Sequence, residues 1–109
     1  MTIGRGKYAN PQDGDVIEMD VDLRGDTVAV TRMDLRCCDA ATRAAKELSR
    51  WAYGKTPEDA ARIEPRELIA RLGLVAEEER CALTAIAALR AALVDADVTE
   101  SAEREVGQR

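Results

Sequence analysis

A strict alternation of apolar and acidic residues narrows the folds open to this chain more than any other feature. In "DVIEMDVDL", Ile17, Met19, Val21 and Leu23 fall on one side, and Glu18, Asp20 and Asp22 on the other. That is the period of a half-buried strand. "RGD" at 24–26 follows, with Gly25 free to take positive φ, so the chain turns there. "TVAVTRMDLR" reads as the returning strand, rich in Val and Thr. Its alternation slips around Arg32 and Met33, where a bulge is expected. The two runs predict an antiparallel hairpin.

After two adjacent cysteines, Cys37 and Cys38, the period changes to helical. Ala41, Ala44, Ala45, Leu48, Trp51 and Ala52 line one face, with Arg43, Lys46, Glu47 and Arg50 outside. Gly54 is a natural stop. Thr56 is placed to cap a new helix with Pro57 at its first position and Asp59 in a capping-box-like place. Pro65 opens another short helix, closed by Gly73. A last helix is predicted from about Glu77 to about Asp95, its core stripe Ala82, Ala85, Ile86, Leu89 and Leu93. Strands followed by helices predict an α+β fold, a small antiparallel β-sheet with helices packed on one face. The length of 109 residues predicts one domain over 1–109. Within it, residues 1–13 read as an irregular arm and 97–109 as a frayed polar tail. Phe is absent, so the core rests on aliphatic side chains with Trp51 expected as its largest block.

A net charge of −5 argues against a nucleic-acid groove, which needs clustered Lys and Arg. The scattered lysines do not suit an anionic membrane surface. No apolar run approaches the roughly 20 residues that span a bilayer. The first residues lack a signal-type hydrophobic stretch, so a cytoplasmic protein with reduced thiols is expected. An odd number of cysteines fits that better than a disulfide framework. With no His, Ser-His-Asp and Cys-His nucleophile pairs and His-containing zinc sites are excluded within the chain.

Cys37 and Cys38 sit where a strand enters a helix, and Cys81 in the first turn of the last helix. The partial positive charge of a helix start favours thiolates, the form that binds metal or attacks sulfur. Asp13 and Asp15, just before the strand of "DVIEMDVDL", lie toward the same end of the sheet. For any one cysteine a small buried core residue is the plainer reading. The adjacent pair weighs against it, because neighbours at a strand end point in opposite directions. Asp13 and Asp15 taken singly read as turn and cap residues.

The runs "DGDVIEMDVDL", "MDLRCCDAATRAAKELSRWAYGKTPEDAARI", "ELIARLGL" and "RCALTAIAALRAAL" resemble, in order and spacing, the IscU/NifU N-terminal family of iron–sulfur cluster assembly scaffolds. The Trp-x-x-Gly-Lys-Thr block and the late Cys are the specific parts, and "YANP" at 8–11 is similar to the family's early Asn-Pro motif. The resemblance implies an IscU/SufE-like fold and a scaffold or carrier rather than an enzyme. Cys38 matches the second cluster cysteine, Cys81 the third, and Asp15 the aspartate after the first. Asp13 stands in place of the first cysteine, Arg80 in place of the His, and Cys37 in place of a Gly. The metal ligands implied are therefore Asp15, Cys38 and Cys81, with Asp13 or Cys37 as the further one.

The implied cargo is a [2Fe–2S] cluster or iron, with zinc as the alternative that two thiolates and two carboxylates suit. The implied partners are a cysteine desulfurase or other Fe–S assembly protein and a recipient apoprotein. A homodimer is compatible with the pattern. The chaperone-docking segment reads "LVAEEE", so docking of the usual Hsp70-type chaperone is not expected. Two further readings stay open: a persulfide or sulfur-transfer or zinc protein with Cys81 or Cys38 as acceptor, and a metal-free adaptor that has lost the site. The Gly-Lys-Thr block has a structural explanation as a helix stop and restart, and it lacks the spacing of a phosphate-binding loop.

Overall fold

The computed structural model describes residues 2–107. In chain order it contains β1 (Thr2–Ala9), β2 (Val16–Arg24), β3 (Thr27–Arg36), α1 (Asp39–Ala52), α2 (Pro57–Ala61), α3 (Pro65–Leu72) and α4 (Glu79–Gly107), with a 3-10 turn over Ala76–Glu78 before α4. The strands form one antiparallel sheet in the order β1-β2-β3. The helices cover one face of it, α4 lying along β1 and β2 and α1 between α4 and β3.

Alternation places Ile17, Met19, Val21 and Leu23 of β2 in the core. Opposite them, Asp20 pairs with Arg32 but Val21 with Val30, which leaves Thr31 as the extra residue of a bulge. The bulge explains the slip in the pattern. Val28 and Val30 face the core before it, and Met33 and Leu35 pair with core-facing Met19 and Ile17 after it. Gly25 turns the hairpin at φ 67°.

Residues 2–9 form a strand, not the irregular arm expected. Thr2, Gly4 and Gly6 face inward and are buried, whereas Ile3, Arg5 and Lys7 are exposed. Glycine conceals the alternation because it carries no hydrophobic signal. Its use here is steric: a Cβ on Gly4 or Gly6 would run into the α4 backbone at Ala92 and Ala96, or at Ala88 and Ala92. The tail also departs from expectation, since α4 continues as helix through Gly107. Ala, Glu and Arg in that stretch favour helix, and no Gly or Pro interrupts it before Gly107. Ala96 is fully buried, and Asp95 Oδ2 accepts the Arg5 N–H at 2.8 Å, so the helix is still anchored to β1 there. Residues 108 and 109 lie outside the described residues.

Trp51 is half-buried rather than the centre of the core. The largest fully buried side chains include Ile17, Met19, Leu48, Leu68, Ile86 and Leu89. The Arg71 guanidinium of α3 lies 4.7 Å from the Trp51 ring centroid, which ties α3 to α1 at the surface. Glu47 accepts from both Arg50 and Arg71, and these bonds hold its carboxyl below the usual range. Asp20 and Asp22, expected on the solvent face of β2, are buried. Arg24 Nε lies 2.9 Å from Asp22 Oδ2, and Arg5 and Arg32 flank Asp20 at 3.6 and 3.8 Å. Long basic side chains close over the central strand.

The Gly-Lys-Thr block acts as the stop and restart read from its residues. Gly54 has φ 81°, Thr56 Oγ1 accepts the Asp59 N–H at 3.2 Å, and Pro57 starts α2. Gly54 N–H donates to Val28 O and Val28 N–H to Lys55 O, so this segment also satisfies part of the outer edge of β3.

Candidate metal centre

Three segments far apart in the chain converge at one end of the sheet. The first is the loop between β1 and β2. Asn10 organises it: its N–H donates to Asp15 O, its C=O accepts from Gly14 N–H, and its Oδ1 accepts from Gln12 N–H. Asp13 Oδ1 accepts the Asp15 N–H at 3.1 Å, an Asx-type turn that sets the backbone just before β2. The loop thereby presents the Asp15 carboxylate.

The second segment is the entry to α1. Cys38 is its N-cap residue, with extended backbone and a carbonyl that accepts the Thr42 N–H. Asp15 Oδ1 accepts the Cys38 N–H at 3.2 Å, and Oδ2 accepts the Cys38 thiol at 3.4 Å. The third segment is the first turn of α4, which carries Cys81. Its Sγ lies 3.6 Å from Cys38 Sγ. Asn10 reaches this segment too, because its Nδ2 donates to Thr84 Oγ1, which itself donates to Arg80 O.

The ligand atoms of Asp15, Cys38 and Cys81 all lie within 4.8 Å of one another, the one such group of His, Cys, Asp or Glu among the described residues. Cys38 is exposed, whereas Asp15 and Cys81 are buried. All three line an open pocket of about 530 Å³. Asp13 also lines it but is turned to Arg80, 3.8 Å from Nε. Cys37 is not in the group; its Sγ lies 3.4 Å from Thr42 Oγ1, and the side chain packs against the core.

Helix starts were expected to lower the thiol pKa values. Burial instead pushes the Cys81 thiol up to about 12, helped by its bond to Cys38 and by the nearby negative charge of Asp15 and Asp13. Burial also raises Cys37, against the bond from Thr42. A proton held this firmly yields to a cation, since metal binding to thiols releases protons. Asp39, Glu77 and Glu78 complete the pocket walls and bias it toward positive charge.

Bond lengths test whether a metal fits. Tetrahedral Zn²⁺ with sulfur ligands at about 2.3 Å sets adjacent sulfurs about 3.8 Å apart, and sulfur about 3.6 Å from a carboxylate oxygen. The corresponding separations here are 3.6 Å and 3.4 Å. Two of the three donor separations therefore match edges of a tetrahedron, and the third, from Asp15 to Cys81, lies within 4.8 Å. The donor set suits Zn²⁺ or Fe²⁺ and leaves the fourth corner open to the pocket.

Asn10 and Thr84 were not singled out from the sequence as positioning residues. The Asn-Pro dipeptide entered only through the family resemblance, and nothing local indicated that the amide would reach a hydroxyl 74 positions on.

Comparison with known proteins bears on this geometry. The NifU-like N-terminal domain model matches residues 1–101. Over 95 residues the chain is 30% identical to the iron–sulfur cluster assembly scaffold protein IscU of Rickettsia prowazekii (strain Madrid E), covering 85% of this chain and 72% of that protein. It is 27% identical, also over 95 residues, to the mitochondrial iron sulfur cluster assembly protein 1 of Kluyveromyces lactis, spanning 85% of this chain and 53% of the relative. A crystal structure assigned as an iron–sulfur cluster assembly scaffold for the SUF system of the thermophile Fervidobacterium islandicum AW-1 superposes with a TM-score of 0.63 at 16% identity, over 84% of this chain and 79% of that one. That likeness concerns the fold: a three-stranded antiparallel sheet packed against helices. With a family model spanning nearly the whole chain, a relative at 30% identity and the shared fold, the chain belongs to the NifU-like N-terminal domain family of iron–sulfur cluster assembly scaffolds.

Proposed function

We propose that this protein is a carrier that holds one iron or zinc ion, or the corner of a labile iron–sulfur unit, on Cys38, Cys81 and Asp15. The observation that supports this most directly is the convergence of those three donors, with Cys38 at metal-site spacing from both others, in an open acidic pocket. A stable [2Fe–2S] cluster draws four protein ligands across two irons. Asp13 is engaged by Arg80 and Cys37 faces Thr42, so three donors remain for the cargo. That shortfall favours a mononuclear ion, or a unit passed on quickly, over a resident cluster.

The chain's own groups have separable tasks. Cys38, exposed at the pocket mouth, meets the cargo first. Cys81 holds it from the buried side. Asp15 supplies the third donor while its other oxygen keeps the Cys38 N–H in place. Arg80 neutralises Asp13 and does not ligate. Membership of a scaffold family supports a cysteine desulfurase or another assembly protein as the source, and a recipient apoprotein as the destination. Exposure of Cys38 favours a second reading, in which that thiol accepts persulfide sulfur and Cys81 does not.

Protein purified without air or chelator and titrated with Zn²⁺, then with Co²⁺ as a spectroscopic probe, tests the carrier reading. One metal per chain is expected, with sulfur-to-metal charge-transfer absorption that weakens in Cys38→Ser and in Cys81→Ser. Metal content that is absent, or unaffected by both substitutions, would leave the adaptor reading in possession. Mass analysis after incubation with a desulfurase and cysteine checks the second reading; an added sulfur on Cys81 rather than Cys38 would reverse its assignment.

A further inference from the structure

The two sulfurs of the pocket are as near to each other as they are to any cargo. Cys38 Sγ and Cys81 Sγ stand 3.6 Å apart, in contact, with no atom between them. A disulfide needs about 2.05 Å, so closure asks for an approach of about 1.5 Å. Cys38 supplies that movement readily, because it is exposed and sits in extended backbone just before α1. Cys81 is buried in the first turn of α4 and stays in place.

We infer that Cys38 and Cys81 form a thiol–disulfide switch, in which peroxide oxidation joins the two sulfurs and removes two of the three donors from the pocket. The inference rests on the carrier reading of this pocket. The chemistry balances in two steps. Hydrogen peroxide oxidises the exposed Cys38 thiol to a sulfenic acid and leaves as water. The Cys81 sulfur then attacks the Cys38 sulfur, the S–O bond breaks, the hydroxyl departs with the Cys81 proton as a second water, and the S–S bond forms. Two electrons pass from the two thiols to one peroxide, and a dithiol reductant restores both thiols by exchange.

Cys37 does not compete for this bond. It is outside the group that Asp15, Cys38 and Cys81 form, and it packs against the core. Its sulfur is held against Thr42 instead. A bound metal and the disulfide are mutually exclusive, because both use the same two sulfurs. Loading the pocket therefore protects Cys38, and oxidation empties it.

The test treats reduced, metal-free protein with two equivalents of hydrogen peroxide, one for the sulfenic acid and a second that a sulfinic acid would need, and maps cysteine peptides without reduction. The expected result is a Cys38–Cys81 cross-link with loss of two hydrogens, present also in Cys37→Ser and absent in Cys81→Ser, where Cys38 proceeds to sulfinic acid. Zinc uptake is expected to fall from one ion per chain to none on oxidation and to return after dithiothreitol. Prior zinc loading is expected to suppress the cross-link. Sulfinic acid at Cys38 without a cross-link, a Cys37–Cys38 bond, or undiminished zinc uptake by the oxidised protein each overturns the switch. A zinc titration of untreated reduced protein reads the carrier proposal by itself. If that form takes up no metal, the gating falls along with the carrier, whatever the peptide map shows.

Discussion

Asn10 joins the site together without donating an atom to it. Its four polar groups bond to Asp15, Gly14, Gln12 and Thr84, so the loop bearing Asp15 is tied to the helix bearing Cys81. Outer-shell partners of this kind typically change metal affinity 10- to 100-fold. Asn10→Ala is expected to weaken zinc binding by about tenfold and to lower stability by about 1–3 kcal/mol, through the groups left unbonded. A competition titration and a thermal melt read the two effects. Cys81 carries a pH signature. Its folded pKa, about 12, lies above the usual thiol value of about 8.5. Its contribution to stability is therefore complete below about pH 8.5 and is lost as the pH rises toward 12. The metal-free protein should show a larger drop in melting temperature between pH 7.5 and pH 10 than Cys81→Ser does; equal drops would refute the assignment. Residue type made Asp15, Cys38 and Cys81 legible as candidates, because carboxylates and thiols announce their chemistry wherever they stand. The direction of Cys37 was not legible. It depends on how β3 twists into α1, which a list of residues does not contain.

At the scale of elements, the hairpin of β2 and β3 was readable because each strand has one wet side and one dry side, and even the bulge left a trace in the slipped pattern. The first strand was not readable, for a reason that β1 and α4 share. Gly4 and Gly6 occupy inward positions where a hydrophobic residue would ordinarily signal a strand, and Ala88, Ala92 and Ala96 answer them from the helix. The contact is backbone against backbone. Gly6→Ala is expected to force α4 away from β1 and to destabilise the fold by about 2–3 kcal/mol or more, measured by urea unfolding. Since α4 also positions Cys81, the same substitution should weaken metal binding. A variant with unaltered stability would show that the helix does not lie this close. The boundaries of the short helices were legible, because Gly54, Thr56, Pro57, Pro65 and Gly73 punctuate the chain where α1, α2 and α3 stop and start.

On the carrier reading, the whole molecule responds to a bound ion through mass action. An ion that binds only the folded form, at a free concentration about a hundred times its Kd, adds about 2.7 kcal/mol of stability. For a chain of this size that corresponds to a rise in melting temperature of about 10 °C. Addition of zinc should produce that rise, a chelator should reverse it, and Cys38→Ser should remove most of it. No helix among the described residues is long and apolar enough to cross a membrane. One arrangement carries a consequence for biosynthesis. The last helix both roofs the sheet and delivers the final sulfur. As the chain leaves the ribosome, positions 15 and 38 emerge well before position 81, and β1 and β2 meanwhile lack the helix that covers them. A nascent chain can neither bury its interior nor trap an ion ahead of time; both events wait for the same segment and arrive together.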